Sequence, residues 1–129
     1  MNELLFELNW TYTRREIQDV LGGDPSSVFP RHQGQVICCC IPQPSHPDAP
    51  KAILIVRERK MIESAKQCAS QREALPVFMG IRQQAAGWVY QGEFVAERYA
   101  DDPTEIVPYV KKAGRTNIAG ILFLKQIRP

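Results

Sequence analysis

Residues 75–99 read LPVFMGIRQQAAGWVYQGEFVAERY, and this stretch decides the fold. Leu75, Val77, Met79 and Ile81 alternate with Pro76, Phe78 and Gly80, the two-residue period of a strand with two different faces. Residues 83–87 supply a turn, and an aromatic run from Trp88 to Tyr99 follows. Two strands this close in sequence join as a hairpin, because a parallel pair needs a crossover of roughly a dozen residues or more. In the second arm, Trp88, Tyr90, Phe94 and Tyr99 require a change of face near Gly92, which predicts a bulge or sharp bend there. An all-parallel, doubly wound sheet is therefore excluded.

Beyond this pair, Asp102-Pro103-Thr104-Glu105 has an acidic N-cap, proline at the first helical position and glutamate at the third, the chemistry of a helix start. Ile106, Val107, Tyr109 and Val110 give that helix its apolar residues, Lys111 and Lys112 suit its C-terminal dipole, and Gly114 ends it. Pro108 weakens it but lies in its first turns. Residues 118–127 form the last strand, apolar through Ile121, Leu122, Phe123 and Leu124.

Toward the N-terminus, residues 58–72 carry Met61, Ile62, Ala65 and Ala69 at helical spacing. Ile53, Leu54, Ile55 and Val56, within a strand over residues 51–57, form a continuous apolar run and predict burial on both faces. Residues 35–41 read as another buried strand. The intervening Pro42, Pro44, Pro47 and Pro50 exclude continuous pairing between the two. Residues 24–34 form a loop that delivers Phe29, Arg31 and His32. Thr13-Arg14-Arg15-Glu16 is a capping box, followed by Ile17, Val20 and Leu21 on one face and by Gly22-Gly23 as a stop, hence a helix of about two turns. Leu4, Phe6 and Leu8 alternate as in a short first strand or extended arm.

The sum is an α+β fold: a small, mostly antiparallel bent sheet or β-barrel with about three short helices, as one domain over residues 1–129. A chain of 129 residues with 44% hydrophobic and 23% charged residues has room for one core and the means to fill it. Sixteen Lys+Arg against fourteen Asp+Glu leave a formal charge of +2, so any attraction for an anionic partner is a local cluster. No apolar run is long enough for a membrane helix, and the opening residues carry Glu3 and Glu7 without a basic leader. Three of the four cysteines, Cys38, Cys39 and Cys40, are adjacent, with Cys68 apart. That is a poor disulfide framework, and reduced thiols place the chain in the cytoplasm.

Several chemistries have partial support in the sequence. Cys38, Cys40, Cys68 and His46 are zinc-type donors, but their spacing is not that of a zinc knuckle, so no metal and no cofactor are expected. Asp48 followed after an apolar strand by Glu58 and Lys60 has the outline of a PD-(D/E)xK nuclease, in which two carboxylates hold a divalent metal. The Glu and Lys fall after the strand instead of within it, which leaves a non-enzymatic chain as the leading expectation. There is no G-x-S-x-G elbow, P-loop or G-x-G-x-x-G. The residues that do cluster are Trp10, Tyr12, Arg14 and Arg15 at the first helix, with Phe29, Arg31 and His32 just after it. Aromatics beside cations suit nucleic acid, because guanidinium groups take phosphates and aromatic faces take bases. Equally, Tyr12 fits a hydrophobic staple with Arg14 and Arg15 solvated. Lys111, Lys112 and Arg115 form a second basic group.

The order Tyr12-Thr13-Arg14-Arg15-Glu16-Ile17, then Gly22-Gly23, then Arg31-His32-Gln33-Gly34 before a strand resembles small PUA/SRA-like domains. It is similar in particular to those accompanying bacterial HNH endonucleases and helicases that read modified DNA, phosphorothioate-binding ones included. Leu75-Pro76-Val77-Phe78 and Trp88-Val89-Tyr90-Gln91-Gly92-Glu93-Phe94-Val95 resemble the strand pair of that group. The resemblance implies a β-barrel whose loops hold a modified base or a phosphorothioate backbone, in a DNA-defence setting and without chemistry of its own. Under it, Arg31 and His32 contact backbone, and Tyr12 and Arg14 line the cleft. With Arg15 and Arg115 added from the two basic groups, the nucleic-acid-binding set is Tyr12, Arg14, Arg15, Arg31, His32 and Arg115, and the expected partners are DNA and a separate nuclease or other protein. A protein-interaction domain working through residues 42–50 and exposed aromatics is the alternative.

Overall fold

The computed structural model describes residues 6–81 and 86–129. Leu4, Arg82 and most of the turn expected over residues 83–87 fall outside them.

Thr13 caps the first helix as its sequence requires: its hydroxyl accepts from Glu16 N at 3.1 Å while the Glu16 carboxylate accepts from Thr13 N at 2.9 Å. That helix, α1 (Arg14–Leu21), buries Ile17 and ends at Gly22. The arm before it is not a strand alternating through Leu8. Phe6 is buried, Leu8 is exposed, and among the described residues the strand of this arm is β1 (Thr11–Tyr12).

The loop expected over residues 24–34 ends in a hairpin of β2 (Arg31–His32) and β3 (Gln35–Val36). Its two-residue turn, Gln33-Gly34, has φ of 53° and 80°, the doubly positive geometry that matches strand twist. Residues 35–41 therefore are not one strand: β3 ends the small β2–β3 sheet, and the chain then enters the main sheet as β4 (Cys39–Pro42). A turn of 3-10 helix (Gln43–Ser45) opens the proline-rich connection to β5 (Ala52–Val56).

The helix α2 (Arg59–Ser70), the strands β6 (Leu75–Gly80) and β7 (Trp88–Ala100), the helix α3 (Pro103–Ala113) and β8 (Ile118–Arg128) follow. Asp102 caps α3 through Thr104 N at 2.9 Å, and Gly114 ends it with φ 66°. As predicted, β6 and β7 form an antiparallel hairpin, and its register slips where Val77 faces Gly92 and Phe78 faces Tyr90. Only glycine fits there: φ is 108°, and a Cβ would stand 2.4 Å from Arg128 O.

The sheet runs β4-β6-β7-β8-β5, with β1 added to β7. All pairings are antiparallel except β4 with β6. Among the described residues it does not close into the expected barrel, because the outer edges of its end strands are spent on loops. Cys40 N of β4 donates to Val28 O at 2.9 Å. On β5, Ala52 N donates to Asp48 O at 3.2 Å and Leu54 N to His46 Nδ1 at 3.0 Å.

Alternation along the strands divides the core. Cys39, Ile41, Ile53 and Ile55 pack under α2 with Ala65 and Cys68. Cys38 and Cys40 pack with Phe6, Ile17, Phe78, Trp88 and Tyr90 beside α1. Ala52 and Leu54 pack with Ile106, Ile118 and Ile121 beneath α3. Burial on both faces explains the unbroken apolar run of β5. No helix among the described residues is long and apolar enough to cross a membrane.

Candidate nucleic-acid interface

The α1 capping box sets Arg14 at the first helical position, and its guanidinium is held within the chain through Nε and Nη2. Nε donates to Gln18 Oε1 at 2.8 Å, and Nη2 donates to Asp24 O at 2.9 Å and Ser27 O at 2.8 Å. The group also lies 5.2 Å from the Trp88 ring centroid. Arg14 thus ties α1 to the following loop. Tyr12 is half-buried, edge-on to Phe6 and Phe78, and its hydroxyl accepts from Glu7 N at 2.8 Å. Arg15, by contrast, is exposed on the first turn.

The loop that Arg14 holds forms one wall of a cleft of about 570 Å³, lined by Ser26, Ser27 and Phe29 on this side and by Glu58, Lys60 and Ser64 from α2 and its cap on the other. Arg31 reaches into it from β2, and its Nη2 donates to the Ser64 hydroxyl at 2.9 Å. Ser64 is buried and Arg31 exposed. One end of the guanidinium is therefore fixed on α2, and its planar fork is set before any anion arrives.

His32, next on β2, rests its exposed imidazole against the end of α1: a Cβ at Gly22 would stand 2.9 Å from His32 Nδ1. Gly22 has φ 84° and no side chain, and both features permit this approach. Arg31, His32, Arg14 and the loop over residues 24–29 are thus contiguous around α1.

Arg115 is not among the cleft's lining residues. Its Nη1 donates to Ser45 O at 2.8 Å, beside the buried His46. Burial, with the Arg115 charge added, pushes His46 down to about 4. Sequence reading missed Ser26, Ser27 and Ser64 as cleft residues. Their only signal is small polar residues flanking a loop and a helix start, which is common on any surface.

The competing chemistries are dispersed. Asp48 is paired with Lys112 at 2.6 Å, away from the cleft that Glu58 and Lys60 line. Cys38 and Cys40 belong to the cluster beside α1, Cys39 and Cys68 to that under α2, and His46 Nδ1 is taken by Leu54 N. Cys39 and Cys40, each hydrogen-bonded to a second thiol and buried, are held well above the ordinary thiol range. Among the described residues, no three His, Cys, Asp or Glu converge as metal ligands.

No protein-family model and no curated protein match the chain. Among solved structures it is similar to the SRA domain of SUVH5, crystallised in complex with hemimethylated CG DNA. The identity is 12% and the TM-score 0.63, with 96% of this chain and 91% of that chain covered. A superposition that spans nearly the whole chain at so low an identity is a statement about architecture, and the α+β fold of this protein is SRA-like.

Proposed function

We propose that this protein is a non-enzymatic DNA-binding module that reads a modified base or a modified backbone. The observation that carries the proposal is the SRA-like fold across 96% of the chain, shared with a domain crystallised on hemimethylated CG DNA. Local support comes from Arg31, exposed at a cleft of about 570 Å³ and anchored by Ser64. Arg15 adds a cation that solvent can reach, and His32 an exposed imidazole that can hydrogen-bond a phosphate. Cations here are few, so the electrostatic contribution is modest and selectivity rests on what fits the cleft. Tyr12 and Arg14 serve it as scaffold, holding α1 and the loop over residues 24–29 in place.

The test is fluorescence anisotropy at two salt concentrations with plain, cytosine-methylated and phosphorothioate duplexes, and with single strands. Selective binding of one modified duplex, weakening as salt rises, is the expected result. Arg31→Ala should lower that affinity about tenfold and flatten the salt slope by about one, the loss of one charge-assisted phosphate contact. Unchanged affinity would remove Arg31 from the site. Failure of every duplex to bind would remove the DNA reading and favour a protein-interaction role for the proline-rich connection over residues 42–50.

A further inference from the structure

The two tryptophans have opposite fates. Trp88 is 6% exposed beneath the Arg14 guanidinium, whereas Trp10 is 59% exposed. Leaving an indole in water forgoes the burial of the largest apolar side chain available to a protein.

Nothing about the Trp10 backbone is loose. Trp10 N donates to Glu7 O at 3.1 Å, Trp10 O accepts from Tyr90 N at 3.0 Å, and the preceding Asn9 N donates to Tyr90 O at 3.0 Å. Asn9 takes a φ of 68° to make this junction, a conformation asparagine tolerates better than most residues. From there the chain enters β1, where Tyr12 pairs with Trp88, and then α1, whose first turn carries the exposed Arg15. The exposed ring therefore stands on a backbone already fixed to the sheet, a few residues from a solvent-facing cation. An aromatic side chain whose backbone is ordered beforehand loses little entropy on contact, and every nucleobase offers it a π face.

We infer that Trp10 is a stacking platform for an unpaired nucleobase. The inference rests on the DNA-binding reading and extends it to a base-contacting residue outside the Arg31 cleft. Stacking of this kind tolerates any base identity, so Trp10 adds affinity for an extruded or single-stranded nucleotide without choosing its sequence.

The probe is a short single-stranded oligothymidylate, with a strand of the same length built from abasic sugars as its control. Binding of oligothymidylate should quench the emission that is lost in Trp10→Phe. Trp10→Ala should weaken binding about 5- to 150-fold, the range measured for removing one stacked base. The salt slope should not change, because no phosphate contact is lost. On the abasic strand, wild type and Trp10→Ala should bind alike, and Trp10→Phe should keep part of the wild-type affinity for oligothymidylate. Three results would each overturn the inference: no binding of oligothymidylate by wild type, equal binding by wild type and Trp10→Ala, or an equal loss on the abasic strand. The wider reading is judged separately by the duplex panel, so Trp10 can fail while DNA binding stands.

Discussion

Phe78→Ala is expected to lower the unfolding free energy by about 3–5 kcal/mol, a large share of the roughly 5–15 kcal/mol typical of a domain. Phe78 is fully buried on β6, opposite Tyr90 across the register slip. Its ring centroid lies 4.9 Å from that of Phe6, 5.2 Å from Tyr90 and 6.2 Å from Tyr12. Phe6 and Tyr12 flank the junction that leads into α1, so Phe78 is where the N-terminal arm is fastened to the sheet. Truncation removes the transfer free energy of the ring and leaves a cavity whose walls belong to three separate segments and cannot all move in. Urea unfolding should show a lower midpoint with an unchanged slope. Phe78→Leu, which keeps most of the volume, should cost well under half as much. A shift in Phe78→Ala worth less than about 1 kcal/mol would mean that the arm contributes little to the fold.

Acid should destabilise the protein by about 3 kcal/mol through His46 alone, between pH 6.5 and 4. The ring is 5% exposed, its Nδ1 accepts from Leu54 N, and burial lowers its folded value to about 4. An unfolded histidine titrates near about 6.5. Between those values the unfolded chain takes up a proton that the native one refuses, so stability falls as pH drops from 6.5 and the loss levels off below about 4. Protonation would also turn the acceptor toward Leu54 into a donor facing a donor. Chemical denaturation across this range should give a slope that disappears in His46→Gln, which has an acceptor but no titration. The same slope in that variant would place the acid sensitivity elsewhere.

What could be read from the sequence divides by range. Both helix caps, at Thr13 and Asp102, lie within four residues of the backbone they serve, and both formed as read. The Leu75–Tyr99 region was legible for the same reason: the hairpin is local, and Gly92 marks the slip. Residues 35–41 were not, because apolar composition says that a segment is buried without saying whether it stays on a ladder. The parallel pairing of β4 with β6 joins residues far apart in the chain and leaves no local trace. Of the two forms expected, bent sheet or barrel, the described residues show an open sheet, with residues 28, 46 and 48 hydrogen-bonded at the outer edges of its end strands.

The candidate site followed the same rule. Arg31 and His32 stand out as polar nitrogen-bearing side chains beside a turn, but their neighbours Ser64 and Gly22 come from other elements. Arg14 and Arg15 are neighbouring arginines at one helix start, and only the resemblance set Arg14 apart, as a cleft residue. The folded chain separates them, one engaged with Gln18, Asp24 and Ser27 and the other exposed.

Cys38, Cys39, Cys40 and Cys68 have no exposed surface at all, and this turns the molecule into its own clock. A thiol reagent in solution reaches them only when the chain opens. When closing outruns the chemistry, the rate of modification reads the opening equilibrium directly. Variants that keep only Cys38 and Cys40, or only Cys39 and Cys68, would report separately on the packing beside α1 and under α2. Equal rates would mean that both regions open as one cooperative unit, and faster labelling of one pair would name the part of the protein that lets go first.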